Sequence, residues 1–416
     1  MRRLFYLLFL SVLFTRPVQA GTIQTHIIES SAINLNIELY VYEPTGYSPS
    51  GDPVPVIYFL HGGHTSRIAY FSVFDSLETA MARGDIEPSL IVMPYGASLS
   101  YWVDSPVVGN FEQHLFEEVM PFVESNYNVR TDRGSRAIMG HSMGGTSAVR
   151  IALQNPDKFV AFASHGGILG LHKMLEYIGP SIRGECLRPR EVNPANGPIS
   201  TFLVDCCQDF SPNLEQEFQC DLIMTYTGSI IESVWPRWAP FDPLTLVFEQ
   251  GGFSGMKAYF DIGDVDTWYS CAKVMDDSLQ SLDVPYIFRV YEGNHNQLDG
   301  QYPYSLSAIG DAFLEATGVD EQSIAQPVSP MISVSAWPNP FNSTCRISVA
   351  AGGQGAVSFT LFDILGREVM SGSPQPLVGG KAEYNLRATG LPSGVYLVRV
   401  DQGGRGQAWA KVVLTR

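Results

Sequence analysis

Apolar positions recur along the chain with two different periods, and each period predicts a different kind of element. Residues 54–60 form a short continuous apolar run, which is typical of a strand buried on both faces of a sheet. Phe74, Leu77 and Met81 are spaced three to four positions apart, as on the buried face of a helix. The two patterns alternate between residues 33 and 316, so we expect an α/β fold with a mostly parallel central sheet covered on both faces. The predicted strands are 34–41, 54–60, 90–94, 137–140, 159–164, 256–262 and 286–291, and the predicted helices include 144–154, 271–282 and 305–316.

A long stretch, residues 165–255, separates the strand that ends at Ser164 from the next strand. Connections within a sheet are usually much shorter, so we interpret this stretch as an insertion. It contains the run Trp235-Pro-Arg-Trp-Ala-Pro-Phe241. The sequence leaves open whether the insertion is a cap over a cleft or a passive addition to the surface.

The pattern changes after residue 316. Residues 317–330 are polar and contain proline, which predicts a linker. Residues 331–416 then consist of short alternating segments between glycine turns, as at 357–361 and 395–400. This pattern predicts a small C-terminal all-β sandwich.

The N-terminus has the pattern of a secretory signal peptide. Arg2 and Arg3 precede an apolar run that is too short to span a bilayer, and Val18-Gln19-Ala20 places small residues at the positions that fit cleavage after Ala20. We therefore expect residues 1–20 to be removed on export. The mature α/β domain would then cover residues 21–316, and no later segment predicts a membrane-spanning helix.

Composition excludes some classes of function. The net charge of −16 argues against a nucleic-acid-binding protein, which would need a basic face. No cysteine or histidine spacing is typical of a metal site, so no metal or cofactor is expected. In an oxidising compartment some cysteines should form disulfides, and the segment 186–220, which contains four of them, is expected to be cross-linked. The cysteines are Cys186, Cys206, Cys207, Cys220, Cys271 and Cys345.

The pentapeptide Gly140-His141-Ser142-Met143-Gly144 lies between a predicted strand and a predicted helix. In that context a G-x-S-x-G motif forms a sharp turn that exposes the serine hydroxyl at the edge of the sheet. The helix N-terminus behind the serine favours developing negative charge. Ser142 is therefore the candidate nucleophile.

A nucleophilic serine needs a base and an orienting carboxylate. In the α/β folds that carry a G-x-S-x-G turn, the acid follows the serine along the chain and the histidine follows the acid. His295 comes directly after the last predicted strand, where the base is expected. His165 also follows a strand, but the acid would then have to precede it. We therefore assign the base to His295.

The acid should follow the strand at 256–262. Asp261 lies inside this strand, whereas Asp264 and Asp266 lie beyond it. A glycine turn followed three residues later by an aspartate favours Asp266. A calcium-binding loop is the rival interpretation, but further oxygen ligands and a closing glutamate are missing.

When a serine attacks a carbonyl carbon, the oxygen of the tetrahedral intermediate becomes negatively charged, and two backbone N–H donors are needed to stabilise it. One is the amide of Met143, directly after the nucleophile, and the other is expected from the glycine-rich loop after the strand at 54–60, at Gly63. We expect His61 and His64 to shape that loop and not to act as bases. Aromatic residues after two other strands could line a substrate pocket: Tyr101, Trp102 and Trp268.

Residues 30–316 resemble the secreted esterases of the esterase D-like, feruloyl and acetylxylan esterase group of the α/β-hydrolase superfamily. The matching stretches include VYEPTGY, VIYFLHGG, ARGDIEPSLIVMPYG and SRAIMGHSMGG, in the family's order. The resemblance implies a Ser142–Asp266–His295 triad with oxyanion amides at Gly63 and Met143. The tail resembles the C-terminal sorting domains of bacterial type IX secretion, in AWPNPFNSTCRISV and LPSGVYLVRV. This second resemblance implies contact with the secretion machinery and a location outside the cell or on its outer surface.

We therefore expect a secreted serine carboxylic-ester hydrolase that works through an acyl-enzyme. By family resemblance its substrate could be an acetyl or feruloyl ester of a polysaccharide. Three alternatives remain: an acyltransferase on the same fold, a serine peptidase on the same fold, and a catalytically silent surface-binding module.

Overall fold

The computed structural model describes residues 21–187, 190–282, 284–317, 332–351, 355–363, 367–378, 380–402 and 407–415. The predicted signal peptide lies outside these ranges, and so do residues 318–330 of the predicted linker. The N-terminal part contains ten strands within the described residues: β1 (Thr22–Ser30), β2 (Leu35–Glu43), β3 (Val56–Leu60), β4 (Leu90–Met93), β5 (Asp104–Ser105), β6 (Gly109–Asn110), β7 (Arg136–His141), β8 (Ala161–His165), β9 (Lys257–Gly263) and β10 (Ile287–Tyr291).

Eight of these strands form one sheet in the order β1-β2-β4-β3-β7-β8-β9-β10. Every neighbouring pair from β4 to β10 is parallel, whereas β2 pairs antiparallel with both β1 and β4. The predicted mostly parallel sheet is confirmed. The edge strand β1 was not predicted, because most of its residues are exposed or half-buried and it lacks the buried apolar face that marks the central strands.

Helices cover both faces of the sheet, as predicted. Along β3 the side chains of Tyr58 and Leu60 enter one apolar cluster, and those of Ile57 and Phe59 enter the other. Helix α4 packs into the first cluster, while α1 and α10 pack into the second. The helices are α1 (Ser72–Arg83), α2 (Phe111–Gln113), α3 (Met120–Asn126), α4 (Met143–Gln154), α5 (Leu171–Glu185), α6 (Pro198–Phe210), α7 (Trp235–Trp238), α8 (Pro243–Gln250), α9 (Tyr269–Leu282) and α10 (Tyr302–Thr317), with a π-helical turn at His114–Val119 between α2 and α3.

The insertion between β8 and β9 contains α5 to α8. Its apolar side chains belong to the same cluster as one face of the central sheet. Trp235 and Trp238 are buried, and the indole N–H of Trp238 donates to Ser211 Oγ at 3.0 Å. The insertion is therefore continuous with the core of the α/β part.

The cysteines do not form the expected disulfides. All six are buried, and all six are free thiols. Burial raises the pKa of the Cys206 and Cys207 thiols, which keeps both uncharged. The cysteines of the insertion lie in the apolar core as thiols, and the Cys207 and Cys220 side chains form a hydrogen bond with each other.

The C-terminal part is a sandwich of two antiparallel sheets, as predicted. The sheets have the orders β11-β12-β15 and β14-β13-β16-β17. Ile347, Leu361 and Val398 lie in the apolar core that the two sheets share. Among the described residues, no helix is both long enough and apolar enough to cross a membrane. The strands are β11 (Ile332–Trp337), β12 (Thr344–Ala351), β13 (Ala356–Asp363), β14 (Glu368–Pro376), β15 (Lys381–Arg387), β16 (Gly394–Asp401) and β17 (Gln407–Leu414).

Candidate active site

Ser142 occupies the sharp turn between β7 and α4. Its backbone has φ 53° and ψ −118°, a conformation that non-glycine residues rarely adopt. The turn is fixed on both sides, since the Ser142 N–H donates to His165 O at 2.8 Å and the Thr146 N–H donates to Ser142 O at 2.9 Å. This backbone conformation directs the hydroxyl away from the strand and towards the edge of the sheet.

Glycine at position 144 is required by a close approach of two backbones. A Cβ atom there would overlap the carbonyl group of Leu60, at the end of β3. Helix α4 can therefore begin directly beside β3, which brings Met143 next to the loop that follows β3. A Cβ atom built on Gly63 in that loop would lie 3.9 Å from the Met143 Cβ.

Gly144→Ala is expected to lower the free energy of unfolding by about 3 kcal/mol or more, because the added methyl group meets rigid backbone. Chemical denaturation of the full chain measures the change. Gly184→Ala is the matched control, since Gly184 lies near the end of α5 with no atom within 4 Å of an added Cβ. That variant should be unchanged or up to about 1 kcal/mol more stable. Equal stability of the two variants would contradict the close approach.

Three predicted residues meet in one chain of hydrogen bonds. His295 Nε2 lies 2.8 Å from Ser142 Oγ, and His295 Nδ1 lies 2.7 Å from Asp266 Oδ2. The Asp266 side chain is fully buried, whereas the His295 side chain is 25% exposed. A carboxylate can only accept, so Nδ1 carries the proton and Nε2 is free to accept from the serine hydroxyl. This arrangement can withdraw a proton from Ser142 and stabilise the resulting imidazolium.

The other two candidate acids have different partners. Asp264 Oδ1 accepts the N–H of Gly293 at 3.0 Å, which links the loop after β9 to the loop after β10. Asp261 Oδ2 lies 2.8 Å from His165 Nδ1, in a buried pair. Of the three aspartates, Asp266 is the one that contacts His295. Its second oxygen, Oδ1, accepts the backbone N–H of Trp268 at 2.8 Å.

The loop after β3 is held in place by His61. Its Nδ1–H donates to Gly62 O at 2.8 Å, and its Nε2 accepts the Gly96 N–H at 2.9 Å. Burial lowers the pKa of His61 to about 4, so the ring is neutral near pH 7, as both bonds require. The carbonyl of the Gly62–Gly63 peptide therefore points at His61, and the Gly63 N–H, on the opposite side of the trans peptide, points away from it.

The Gly63 and Met143 amides are available as a pair of donors. Within the described residues the Gly63 N–H has no hydrogen-bond acceptor. Met143 is the first residue of α4, so its N–H has no acceptor inside the helix. Two neighbouring free donors at a helix N-terminus can stabilise a developing oxyanion. His64 is tied to the next loop, because its Nδ1 lies 2.9 Å from Ser98 Oγ.

Tyr101 and Trp102 do not line an open pocket, which corrects the expectation from the sequence. They are 2% and 0% exposed, with φ of 41° and 53°. Helix α4 holds this unusual turn, since Ser147 Oγ donates to Tyr101 O at 2.8 Å and Arg150 Nη2 donates to Trp102 O at 2.7 Å. The turn directs both rings into the core, and the Trp102 ring packs edge-on against His61 at 5.5 Å.

Trp268 is the one of the three predicted pocket aromatics that keeps exposed surface. Its ring stacks on Phe202 of α6 at 5.9 Å and meets Tyr177 of α5 edge-on at 6.0 Å. We call these three residues the aromatic cluster. Phe202 and Tyr177 come from the insertion, and no local motif reveals where its helices pack, so sequence reasoning missed them.

A cavity of about 520 Å³ lies beside the loop after β3. Its lining is polar and aromatic and includes His64, Arg67, Tyr95 and Ser98. The Arg67 guanidinium lies 4.4 Å from the ring centre of Tyr40 and donates to Glu38 O. Among the described residues, no group of three or more His, Cys, Asp or Glu side chains is placed to hold a metal ion.

The parallel sheet, the strained serine turn at the carboxyl end of β7 and the histidine after the last strand define an α/β-hydrolase. The chain belongs to the esterase family, whose family model matches residues 30–297. Residues 335–415 match the secretion system C-terminal sorting domain, so the protein is exported by type IX secretion to the cell surface or the extracellular space. This confirms the expected location.

Similar proteins include two curated enzymes and a solved structure. Esterase Rv1288 of Mycobacterium tuberculosis is 33% identical over 150 residues, which is 35% of this chain and 32% of that protein. An endo-1,4-beta-xylanase/feruloyl esterase of Xylanibacter ruminicola is 28% identical over 156 residues, 35% of this chain and 22% of the relative. The chain thus spans about a third or less of these relatives. The structure of a ferulic acid esterase has a TM-score of 0.51 at 19% identity and covers 71% of this chain and 99% of its own.

Proposed function

We propose that the chain is a serine esterase in which Ser142 is the nucleophile, His295 the general base and Asp266 the residue that orients His295. The observation that carries this proposal is the continuous hydrogen-bond chain from Asp266 Oδ2 through His295 to Ser142 Oγ, at 2.7 and 2.8 Å. The free amides of Gly63 and Met143 would bind the oxyanion.

The reaction follows from the direction of these hydrogen bonds. Ser142 Oγ attacks the ester carbonyl carbon while its proton passes to His295 Nε2. The tetrahedral intermediate collapses, the C–O bond to the alcohol breaks, and His295 gives its proton to the leaving alkoxide. Water then attacks the acyl-Ser142 ester with His295 again as base. This step releases the acid and restores the serine hydroxyl.

We propose acetyl or feruloyl esters of polysaccharides as the substrate class. Two features of the cleft support it: the polar and aromatic cavity beside the loop after β3, and the aromatic cluster beside the Asp266 loop. Hydroxyl-rich sugars and planar aromatic acids are ligands that such surfaces bind. The names of two similar proteins, which contain feruloyl esterase and ferulic acid esterase, point in the same direction.

The test is acid release from a panel of esters by the full wild-type chain: p-nitrophenyl acetate, p-nitrophenyl octanoate, methyl ferulate and acetylated xylan. We expect turnover of the acetyl or feruloyl esters and little of the octanoate. Suppression of acid release by an added sugar, with formation of an acylated sugar, would identify an acyltransferase. Cleavage of aminoacyl amides in preference to all esters would identify a peptidase. If none of the compounds were turned over, the catalytically silent surface-binding module would be the remaining interpretation.

Trp268→Ala is expected to affect the hydrolysis of feruloyl esters more than that of acetyl esters. We expect about a tenfold higher KM for methyl ferulate and less than about a twofold change for p-nitrophenyl acetate, because the feruloyl acyl group carries a ring that can stack on the indole, whereas the acetyl acyl group carries none. The backbone N–H of residue 268, which holds Asp266, remains in the variant. Trp337→Ala is the matched control, since Trp337 is 78% exposed in the C-terminal sandwich. Equal changes with both substrates would contradict a feruloyl site at the aromatic cluster.

A further inference from the structure

His141, the second residue of the G-x-S-x-G pentapeptide, has no part in the proton transfers described above, yet both of its ring nitrogens are engaged. The residue is 3% exposed. Its Nε2 lies 2.8 Å from the backbone oxygen of His295, and its Nδ1 lies 3.0 Å from Tyr70 Oη. Tyr70 Oη in turn accepts the N–H of Gly62 at 3.1 Å.

When the His141 ring is neutral, one arrangement of protons satisfies all three bonds. The carbonyl of His295 can only accept, so His141 Nε2 carries a proton. The neutral ring then accepts at Nδ1, where the Tyr70 hydroxyl donates, and the Tyr70 oxygen accepts from the Gly62 N–H. Burial lowers the pKa of His141 to about 3, which keeps the ring in this neutral form well below pH 7.

The two ends of this chain are the two loops that the proposed reaction depends on. Gly62 immediately precedes Gly63, whose amide is the proposed oxyanion donor. His295 is the proposed base, and its ring packs against that of His141 with centroids 4.7 Å apart. Glycine at position 62 allows the Tyr70 hydroxyl and the His141 ring to lie close to the loop backbone. A Cβ atom there would lie 2.7 Å from Tyr70 Oη and 3.2 Å from His141 Nδ1.

We propose that Tyr70 and His141 are positioning residues that fix the oxyanion loop and the base loop relative to each other through this hydrogen-bond chain, which we call the Tyr70–His141 bridge. The inference rests on the proposed function. Small displacements of either loop would misplace a donor or an acceptor relative to Ser142, and misplacement on this scale lowers the rate of the chemical step. Substrate binding would change little, because Tyr70 and His141 are both buried.

The test is a kinetic comparison of Tyr70→Phe, His141→Gln and their double variant with p-nitrophenyl acetate. Tyr70→Phe removes one oxygen atom, and we expect kcat to fall about tenfold or more with KM within about twofold of wild type. In His141→Gln the amide can still donate to His295 O, whereas in His141→Asn the amide can reach Tyr70 but not His295 O. We therefore expect the glutamine variant to keep more activity than the asparagine variant.

Coupling between the two positions is the sharper readout. If they act as one chain, the double variant Tyr70→Phe/His141→Gln loses no more than the worse single variant. Tyr42→Phe is the matched control. Tyr42 lies in the same apolar cluster as Tyr70 and is 7% exposed, and its hydroxyl donates to Glu78 at 2.7 Å. It should lower stability at most and leave kcat unchanged.

A wild-type kcat in Tyr70→Phe, a change confined to KM, or strictly multiplicative losses in the double variant would overturn the bridge while the esterase assignment stood. Wild-type protein that neither hydrolyses p-nitrophenyl acetate nor reacts with a fluorophosphonate would overturn the proposed function, and the role of the bridge with it. Circular dichroism and the thermal midpoint of each variant establish that the comparison is between folded proteins. If the asparagine variant does not fold, Tyr70→Phe and the double variant decide the outcome.

Discussion

Ser142→Ala is expected to lower kcat/KM for p-nitrophenyl acetate by about a thousandfold or more. The change removes the hydroxyl that lies 2.8 Å from His295 Nε2, and with it the acyl-enzyme route. The fold should persist, because alanine and serine have similar backbone preferences and the Ser142 hydroxyl has no other hydrogen-bond partner among the described residues. Initial rates of purified wild-type and variant chains, with their circular dichroism spectra, measure the effect.

Ser164→Ala is the matched control. Ser164 is 1% exposed near the end of the neighbouring strand β8, and among the described residues its hydroxyl has no hydrogen-bond partner. The same chemical change should therefore leave activity close to wild type. If Ser142→Ala kept more than about a tenth of the activity, a different nucleophile or a direct attack by water would be required.

Asp266→Asn is expected to lower kcat by about a thousand- to ten-thousandfold with a much smaller change in KM. The Trp268 N–H donates to Oδ1 of Asp266, so the amide oxygen of an asparagine is held at that position. Its NH₂ group then faces His295 Nδ1 and donates to it. This forces the proton of His295 onto Nε2, where it blocks acceptance of the Ser142 proton.

Asp264→Asn provides the comparison. Asp264 Oδ1 accepts the Gly293 N–H, and an amide oxygen can accept the same bond. We expect less than about a tenfold loss of kcat. A larger loss in Asp264→Asn than in Asp266→Asn would transfer the acid role to Asp264.

Most of the sheet could be predicted because buried parallel strands have short continuous apolar runs. The runs at 54–60 and 90–94 correspond to β3 and β4, and the order of serine, acid and histidine along the chain identified the residues that meet in the hydrogen-bond chain. The sequence could only favour Asp266 over Asp264 through its turn. What separates them in the structure is the contact with His295, which depends on how the loops after β9 and β10 approach each other.

Other features depended on contacts that no local pattern contains. Position after a strand suggested that Tyr101 and Trp102 border the cleft, but their positive φ angles turn both rings into the core. Tyr70 is 71 residues from His141, and His141 is 154 residues from the carbonyl it contacts, so the bridge is visible only in three dimensions. The cysteines of the insertion suggested disulfides because the chain is exported, whereas the structure packs them as free thiols.

The most direct test of the proposed chemistry is covalent labelling of the full wild-type chain with a fluorophosphonate, followed by peptide mass spectrometry. A serine whose hydroxyl is activated by His295 should attack phosphorus, displace fluoride and carry the phosphonyl group. We predict a single adduct on the peptide that contains Ser142, no adduct in Ser142→Ala, and much slower labelling in Asp266→Asn. An unlabelled wild-type chain that hydrolyses esters, or an adduct on another residue, would contradict Ser142 as the nucleophile.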